Sequence, residues 1–363
     1  MQSDLVIPTI RFKKGTIEII DQTRLPAEYE IIPLRSVESL CDAMKKLAIR
    51  GAPALGVAGA FGLLLGIEEK WRREGSWFFD SEKVDASDFP KDVSVSAISD
   101  QVATVADKIG GTRPTAINLF WALDRMRKVC EGNWRSTRDL INALYSEAKA
   151  IFREDLDICK RLGERGAALL KDGDSVLTHC NTGGLATSGY GTALGIVVAA
   201  VESGKRIEVY ADETRPLLQG SRLTAWECKQ RNIPVTIVCE GSAGYLMSKG
   251  IVSRVIVGAD RIAANGDTAN KVGTLNLAVI AKHYGVPFYV AAPYSTVDPS
   301  IKDGSQIPIE MRSEEEVKQF AGVEVAPEGA GALNPAFDVT PHNLIAAIIT
   351  DEEIHYPPFD DIG

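Results

Sequence analysis

The stretch DSVLTHCNTGGLATSGYGTALG, residues 174–195, has the features of a ligand site in an α/β protein. Its apolar start, residues 175–178, predicts a buried strand, and the polar residues His-Cys-Asn at 179–181 follow directly. A glycine-rich turn comes next, and the apolar residues 196–201 predict a helix. Parallel α/β sheets bind ligands at such strand ends, and the start of a helix favours an anion such as phosphate.

Apolar segments alternate with helix-like segments or loops in the second part of the chain. This alternation predicts βαβ units and a parallel sheet, so we expect a Rossmann-like domain. The predicted strands are residues 176–179, 207–211, 235–239, 255–258 and 288–291. A further helix is predicted at residues 343–349.

The first part of the chain predicts short strands followed by helices. Apolar segments separated by turn residues predict strands at 7–10, 17–21 and 29–33, and residues 74–96 predict a surface loop. Helical spacing of apolar residues predicts helices at 37–47, 52–67, from 98 onward, 115–129 and 137–170. We therefore expect an α/β fold: a mainly helical N-terminal domain with short strands at residues 1–150, followed by a Rossmann-like C-terminal domain with a parallel sheet at residues 151–363.

Polar side chains follow several of the predicted parallel strands, where open α/β sheets bind ligands. Cys180 follows the first strand, Asp212 the second and Asp260 the fourth. Most buried cysteines are inert, but the position of Cys180 beside polar residues and glycines favours a functional thiol. Asp260 is equally compatible with a turn cap and with a general acid or base in a poorly solvated site.

Three basic residues, Arg50, Arg113 and Lys271, lie near glycine or proline breaks in the chain. An isolated basic side chain is usually a solvated surface group. Three of them at chain turns can form an anion clamp, because Arg binds phosphate through two hydrogen bonds and Lys adds a point charge. The residues alone thus predict an enzyme with a small anionic substrate, and they leave the reaction open.

Composition argues against several other classes of protein. The 363 residues include 40 basic and 49 acidic side chains, and a net charge of -9 is unlike that of a general nucleic-acid binder. The first residues lack the pattern of a secretory signal, and the apolar residues 52–67 are fewer than the ~18 needed to span a membrane. The six cysteines show neither CxxC nor zinc spacing, which predicts reduced thiols in a cytosolic protein. His179 has no partner at ligand spacing, which favours a structural or orienting residue over a metal ligand.

Five longer motifs resemble the methylthioribose-1-phosphate isomerase family and, more distantly, the regulatory subunits of the exchange factor for eukaryotic initiation factor 2. The resemblance covers nearly the whole chain. The motifs are RGAPALG at 50–56, TRPTAINLFWAL at 112–123, THCNTGGLATSGYGTALG at 178–195, DETRPLLQGSRLTAWE at 212–227 and VGADRIAANGDTANKVGT at 257–274.

The resemblance implies an isomerase that converts 5-methylthio-α-D-ribose 1-phosphate to 5-methylthio-D-ribulose 1-phosphate in methionine salvage. It implies Cys180 and Asp260 as the catalytic pair. It also implies a cytoplasmic homodimer formed through the C-terminal domain, with a small sugar phosphate as substrate and with no metal, redox cofactor, nucleic acid or membrane as partner. The implied substrate-binding residues are Arg50, Gly51, Ala52, Arg113, Gln219, Asn270 and Lys271.

Two other interpretations stay open at this stage. One is a non-catalytic regulatory protein, similar to an exchange-factor subunit, that binds a sugar phosphate or nucleotide and a protein partner. The intact pair Cys180 and Asp260 argues against it, since a binding module does not need such a pair. The other is a related isomerase of ribose 1,5-bisphosphate, which only substrate tests would separate from the first.

Overall fold

A small antiparallel sheet opens the chain in the computed structural model, which describes residues 5–72, 78–79, 84, 89–90, 92–114, 116–320, 322–359 and 362. Its strands are β1 (Ile10–Lys13), β2 (Thr16–Ile20) and β3 (Ile31–Leu34), in that order across the sheet. Along β1 buried and exposed side chains alternate, as expected for a strand with one face on the core. The sequence placed the first strand three residues too early.

Five helices follow and form most of the N-terminal core. They are α1 (Val37–Lys45), α2 (Ala52–Trp71), α3 (Val95–Gly110), α4 (Ile117–Cys130) and α5 (Thr137–Ala167). Helix α2 lies at the centre and packs against α3, α4 and α5. A mainly helical first part with short strands is therefore confirmed.

Helix α2 is longer than its predicted range, with 20 residues. It is long and apolar enough to cross a membrane, but 89% of its apolar window is buried inside the protein. Small residues allow this close packing: a Cβ at Gly56 would lie only 2.8 Å from the Asn118 backbone oxygen of α4. The helix is therefore a core helix, as its glycines indicated.

The surface loop predicted at residues 74–96 is wrong for the described part of that stretch. Phe78 and Phe79 are fully buried, Phe89 is nearly so, and α3 already begins at Val95. The aromatic rings pack into the N-terminal core, which loss of periodicity alone does not reveal. Residues 73–77, 80–83, 85–88 and 91 lie outside the described residues.

Glu68 links this stretch to α2 and is itself 1% exposed. Its Oε1 accepts hydrogen bonds from the backbone N–H groups of Phe78 (2.7 Å) and Phe79 (2.8 Å). Its Oε2 has no hydrogen-bond partner among the described residues. Burial raises the pKa of Glu68, and the two backbone hydrogen bonds lower it. Burial has the larger effect, and the resulting pKa is about 7.

We expect Glu68→Gln to flatten the pH dependence of folding stability. The folded chain binds the Glu68 proton more tightly than the unfolded chain, so wild-type stability falls as pH rises from 4.5 through about 7. A pKa change of that size corresponds to roughly 3 kcal/mol. Urea unfolding at pH 5 and pH 8 measures the difference, with the exposed Glu131→Gln as control. An equal loss of stability in wild type and Glu68→Gln would contradict the assignment.

The second part of the chain alternates strands and helices. Its elements are β4 (Ser175–Thr178), α6 (Ala193–Glu202), β5 (Glu208–Asp212), α7 (Ala225–Gln230), β6 (Val235–Val238), α8 (Ala243–Ser248), β7 (Arg254–Val257), β8 (Arg261–Ala263), β9 (Thr268–Lys271), α9 (Thr274–Tyr284), β10 (Phe288–Ala291), β11 (Val297–Asp298), α10 (Glu315–Lys318), β12 (Gln319–Phe320), β13 (Val323–Glu324), β14 (Phe337–Thr340), β15 (Ala347–Ile349) and β16 (Ile354–His355).

The main sheet has the order β16-β15-β10-β7-β4-β5-β6. All neighbouring pairs are parallel except β15 with β16. Numbered along the chain, the six parallel strands have the order 3-2-1-4-5-6, which is the order of the doubly wound fold. The predicted parallel sheet is therefore confirmed, with each of its five predicted strands present.

Two features of the second part differ from the sequence prediction. Residues 343–349 do not form a helix: a short 3-10 turn, His342–Leu344, precedes strand β15, which is fully buried and pairs with β10. A short apolar run buried on both faces has the same pattern in a strand and in a helix, which explains the error. The second feature is a smaller sheet, β11-β8-β9-β14, whose strand β9 carries Asn270 and Lys271, predicted to follow a loop.

Helix α5 connects the two parts of the chain and packs on both. It contacts α2 on one side and α6 on the other. Its residues as far as Ile151 join the N-terminal core, whereas Cys159 and Leu162 join the core beneath the main sheet. The predicted domain boundary between residues 150 and 151 falls inside this helix and stays a prediction.

Candidate active site

The candidate site lies where the strand order of the main sheet reverses. Strand β4 pairs with β5 on one side and β7 on the other, and the chain continues in opposite directions across the sheet from that point. Open α/β sheets bind their ligands in the crevice at this position. Cys180 follows the carboxyl end of β4 and Asp260 follows that of β7, and both line one cavity, which we call the switch-point pocket.

All nine residues that the resemblance implied line the switch-point pocket. They are Arg50, Gly51, Ala52, Arg113, Cys180, Gln219, Asp260, Asn270 and Lys271. The N-terminal helices close the pocket over the sheet, since Gly51 precedes α2 and Arg113 precedes α4. Gly51 has φ +96°, and a Cβ there would overlap the Ala186 backbone of the glycine-rich turn. Only glycine allows α2 to start so close to that turn.

Cys180 has an unusual backbone conformation, with φ +63°. Its N–H donates to Thr214 Oγ1 (2.8 Å), and its carbonyl accepts from Thr224 Oγ1 (2.7 Å). Burial raises the pKa of the thiol, although the charges of Arg50 and Lys271 lower it. The net effect keeps Cys180 protonated at neutral pH.

Asp260 is placed by the main-chain hydrogen bond from its N–H to the Ala269 carbonyl (2.9 Å). Burial raises the pKa of its carboxyl group, while Arg113, Arg50 and Lys271 act in the opposite direction. The carboxyl therefore holds its proton to a higher pH than an exposed aspartate does, as a general acid must. The nearby cations stabilise the carboxylate that remains after proton donation.

Two basic side chains of the pocket, Arg50 and Lys271, have no carboxylate partner among the described residues, whereas Arg113 pairs with Glu310 (3.8 Å). Arg50 donates to Asn181 Oδ1 (2.5 Å) and to the Asn181 carbonyl (2.8 Å). Lys271 is 5% exposed, forms no ion pair with any described residue, and burial lowers its pKa. Buried cations without a carboxylate partner are suited to a bound anion.

Two buried polar atoms of the pocket have no hydrogen-bond partner among the described residues. They are Gln219 Oε1 and Arg113 Nε. A buried polar atom without a partner costs free energy, so such atoms in a cavity indicate where a ligand supplies the missing hydrogen bond. One is an acceptor and the other a donor, as a polyhydroxylated phosphate ester requires.

His179 precedes Cys180 and is 1% exposed, but it does not line the pocket. Its Nδ1 lies 3.2 Å from Asp212 Oδ2, and its Nε2 lies 2.9 Å from the Val272 carbonyl, next to Lys271. Burial lowers the pKa of His179, but Asp212 and Glu240 outweigh this, and the net pKa is raised. These bonds connect β4, β5 and the end of β9, which agrees with an orienting role. Among the described residues, no group of three or more His, Cys, Asp or Glu side chains has the arrangement of a metal site.

The sequence missed two residues that contribute to the site. Arg312 lines the pocket and pairs with Glu316 and Glu310, but it lies in a loop far along the chain with no local signal. Glu227 is fully buried and accepts hydrogen bonds from the Gly184 N–H (2.6 Å) and from Asn181 Nδ2 (2.8 Å). Its position inside a quoted motif was the only available signal. It fixes the glycine-rich turn and, through Asn181, the side chain of Arg50.

The fold and this geometry define an α/β enzyme that acts on a small anionic substrate. A buried carboxyl group with a raised pKa, a thiol and several basic groups share one partly enclosed pocket at the switch point of a doubly wound sheet. Comparison with known proteins gives the particular group: residues 48–357 match the initiation factor 2 subunit family, and the chain belongs to this family.

Three relatives illustrate where the chain stands within the family. It is 47% identical to the methylthioribose-1-phosphate isomerase of Thermotoga maritima over 353 residues, which cover 97% of this chain and 96% of that relative. The crystal structure of 5-methylthioribose 1-phosphate isomerase from Pyrococcus horikoshii OT3 is 38% identical, with a TM-score of 0.87 over 99% of this chain and 96% of that one. A crystal structure named translation initiation factor eIF-2B, subunit delta, from A. fulgidus is 42% identical, with a TM-score of 0.82 over 98% and 97% of the two chains.

Proposed function

We propose that this chain converts 5-methylthio-α-D-ribose 1-phosphate to 5-methylthio-D-ribulose 1-phosphate, an aldose–ketose isomerisation in methionine salvage that retains the phosphate. Relatives with this enzyme name match nearly the whole chain, which supports the proposal. The observation that carries it is the position of Cys180 and Asp260 at the ends of two adjacent strands, around one pocket. We propose these two as the catalytic residues.

Ring opening is the first step of the proposed reaction. An anomeric phosphate cannot open as a free hemiacetal does, so the bond between C1 and the ring oxygen breaks only when that oxygen receives a proton. Asp260 donates this proton, and burial, which raises the pKa of its carboxyl group, lets it hold the proton to a higher pH than an exposed aspartate does. The carboxylate left behind faces Arg113 and Arg50.

Hydrogen transfer from C2 to C1 is the second step, and it makes C2 the ketone carbon. In a hydride shift, the hydrogen carries its electron pair to C1, and the C2 hydroxyl loses a proton, which restores the proton of Asp260. A proton transfer would instead need a base at C2. Because burial raises the pKa of Cys180, its thiol is a poor base, which favours the hydride shift with Cys180 in contact with the reacting carbons.

The phosphate is retained because it is bound throughout the reaction. Arg50, Arg113 and Lys271 converge on the pocket, and the Gly51–Ala52 backbone at the start of α2 presents N–H groups that have no partner within the helix. Gln219 and Asn270 complete the proposed substrate-binding set with hydroxyl contacts. Fixing the phosphate holds C1 and C2 in one geometry relative to the catalytic residues.

We expect Lys271→Met to weaken substrate binding without unfolding the chain. Methionine keeps most of the length of the side chain but removes the charge, and a hydrogen bond to a charged group contributes about 2 kcal/mol, or roughly thirty-fold in affinity. Calorimetry with the substrate measures the change, with Lys282→Met, an exposed lysine of α9, as control. An unchanged affinity in Lys271→Met would remove Lys271 from the binding set.

The proposed function is tested by phosphorus and carbon NMR time courses with purified protein and 5-methylthioribose 1-phosphate. The ketose 1-phosphate should appear in wild type and at least about a hundred-fold more slowly in Cys180→Ser. Ribose 1,5-bisphosphate and 5-deoxyribose 1-phosphate, tested in parallel, identify the preferred substrate. Binding of all three compounds without turnover would contradict the isomerase proposal.

A regulatory function is the second candidate, and one observation favours it: the similar solved structure that bears the name of an initiation factor subunit. A regulatory subunit would bind the sugar phosphate and a protein partner without converting the ligand. The two candidates therefore differ in turnover, which the NMR time course measures directly.

We also propose that the protein is a cytoplasmic homodimer that associates through its C-terminal part. Half-exposed apolar side chains lie on three elements of that part: Ile237 on β6, Tyr245 on α8 and Val279 on α9. The apolar side chains of Ile345, Ile348 and Ile349 are buried within the chain's own core and are therefore not candidates for this interface. Sedimentation equilibrium tests the dimer, and a monomer at micromolar concentration would contradict it. All six cysteines are free, as expected in a reducing compartment.

A further inference from the structure

The backbone of Cys180 has a strained conformation, and the proposed reaction alone does not explain why. Its φ of +63° lies in the left-handed region, which non-glycine residues seldom adopt. Such a conformation persists only where surrounding contacts impose it, and it is concentrated at functional sites. The contacts that impose it here therefore determine where the thiol points.

Two buried threonine hydroxyls bind the peptide groups on either side of the Cys180 α-carbon. Thr214 Oγ1 accepts from the Cys180 N–H at 2.8 Å, and Thr224 Oγ1 donates to the Cys180 carbonyl at 2.7 Å. Both threonines are 0% exposed. Since these two peptide groups define φ and ψ of Cys180, the pair of hydroxyls holds both angles.

Thr214 is itself fixed by its surroundings. Its φ is +65°, which is rare for a β-branched residue, and its hydroxyl donates to the Asp212 carbonyl at 2.9 Å. Gly220 packs against this turn so closely that a Cβ would overlap the Asp212 carbonyl oxygen. The chain from 212 to 220 thus forms a rigid support beneath Cys180.

We propose that Thr214 and Thr224 are positioning residues that hold Cys180 in its left-handed conformation, with the thiol in the switch-point pocket. Neither threonine lines that pocket, so each acts through the residues that it binds. Thr224 also accepts a longer hydrogen bond from Asn181 Nδ2 (3.3 Å), but that amide keeps its shorter bond to Glu227 (2.8 Å), so the main effect of each threonine is on Cys180. The part of this inference that concerns turnover rests on the proposed isomerase function. The part that concerns the conformation of Cys180 does not.

The test replaces each threonine by valine, which has the same shape without the hydroxyl, and by serine, which keeps the hydroxyl. Thr214→Val and Thr224→Val should each lower kcat about a hundred-fold, because a displacement of about 1 Å is that costly, and leave KM within about three-fold. The serine variants should restore kcat to within about three-fold. Thr178→Val is the matched control, since its buried hydroxyl on β4 has no partner among the described residues. Loss of kcat in the serine variants equal to that in the valine variants would overturn the proposal.

A double-mutant cycle separates positioning from general damage. If Thr224 acts only through Cys180, then Thr224→Val should change the residual turnover of Cys180→Ser by less than about three-fold. An equal loss in both backgrounds would overturn the proposal. Thr224→Val is the deciding variant, because Thr224 has an ordinary helical φ of -63° and its replacement does not disturb a strained backbone.

A measurement that does not depend on turnover separates the positioning role of the two threonines from the proposed isomerase function. Alkylation by iodoacetamide, followed at the Cys180 peptide by mass spectrometry, should be at least about five-fold faster in the valine variants, because the released thiol reaches solvent. The exposed Cys239 serves as internal reference. Unchanged alkylation of Cys180 in folded valine variants would overturn the positioning role. Absence of turnover in wild type, with alkylation changed as expected, would remove only the isomerase proposal.

Discussion

Asp260→Asn is expected to lower kcat by about a thousand-fold, because the amide cannot donate a proton to the ring oxygen as the C1 bond breaks. The change is nearly isosteric, so the pocket and its basic side chains should keep their positions. Substrate affinity should therefore change little. The coupled loss of kcat and of kcat/KM, without a large change in binding, would be the kinetic sign of an interaction made only in the transition state.

The pH dependence of turnover gives a second measure of the same role. The acid must carry its proton, so wild-type kcat/KM should fall as pH rises through the pKa of Asp260, which burial raises above its ordinary value. The residual activity of Asp260→Asn should lack this fall. Steady-state rates between pH 5 and pH 9 measure both profiles, with the exposed Asp172→Asn as control. Near-normal turnover in Asp260→Asn would exclude the acid role.

The same pKa predicts that this inactive variant is at least as stable as wild type at pH 8. The folded chain binds the Asp260 proton more tightly than the unfolded chain does, so ionisation of Asp260 lowers stability as pH rises. Asparagine removes that ionisation. Enzymes often lose folding stability by keeping a catalytic group in a site where its charged form is unfavourable. Thermal unfolding at pH 8 is the measurement.

Cys180→Ser is expected to lower turnover by about a hundred-fold or more. Serine replaces a weakly solvated thiol by a smaller and strongly hydrogen-bonding hydroxyl, which changes the contact with the reacting carbons and draws water into the pocket. Phosphate binding should remain, since Arg50 and Lys271 do not form hydrogen bonds to the thiol. The NMR time course gives the rate, and calorimetry gives the affinity.

A matched variant separates the role of Cys180 from a general effect of removing sulfur. Cys130→Ser replaces another partly buried cysteine, at the end of α4 and outside the pocket, and should keep wild-type turnover. Circular dichroism and thermal unfolding confirm that both variants are folded. Turnover of Cys180→Ser within about three-fold of wild type would contradict its catalytic role.

The relation between local pattern and structure is clearest in the parallel sheet. Each of its five predicted strands is present. A strand of a parallel sheet is buried on both faces, so it has a short apolar sequence between turn residues, and this pattern can be recognised in the sequence. The same pattern gave the wrong answer at 343–349, where burial could not distinguish a helix from strand β15. In the stretch with Phe78 and Phe79, loss of periodicity predicted a loop at the surface, but both rings are buried, with Phe78 against Phe89 and Phe79 stacked on Tyr145 of α5.

The candidate site was predictable to the extent that its residues follow strands. The sequence placed Cys180 and Asp260 at strand ends, and parallel strands end at one edge of a sheet. Arg50 and Arg113 were predicted from nearby glycine or proline breaks and from their motifs, since local pattern contains no information about which helix covers which strand. Arg312 had no signal at all, because it reaches the pocket from a loop of the second half of the chain.

The class of fold, the strand ends that carry polar groups and the family to which the chain is similar could all be predicted from the amino-acid sequence. These follow from short-range periodicity and from contiguous motifs, both of which are local. The strand order 3-2-1-4-5-6, which places Cys180 beside Asp260, and the closure of the pocket by Arg50 and Arg113 depend on long-range packing and became visible only in the folded chain. It alone revealed the left-handed backbone of Cys180, because that conformation is imposed by two threonines 34 and 44 residues away and not by the local sequence.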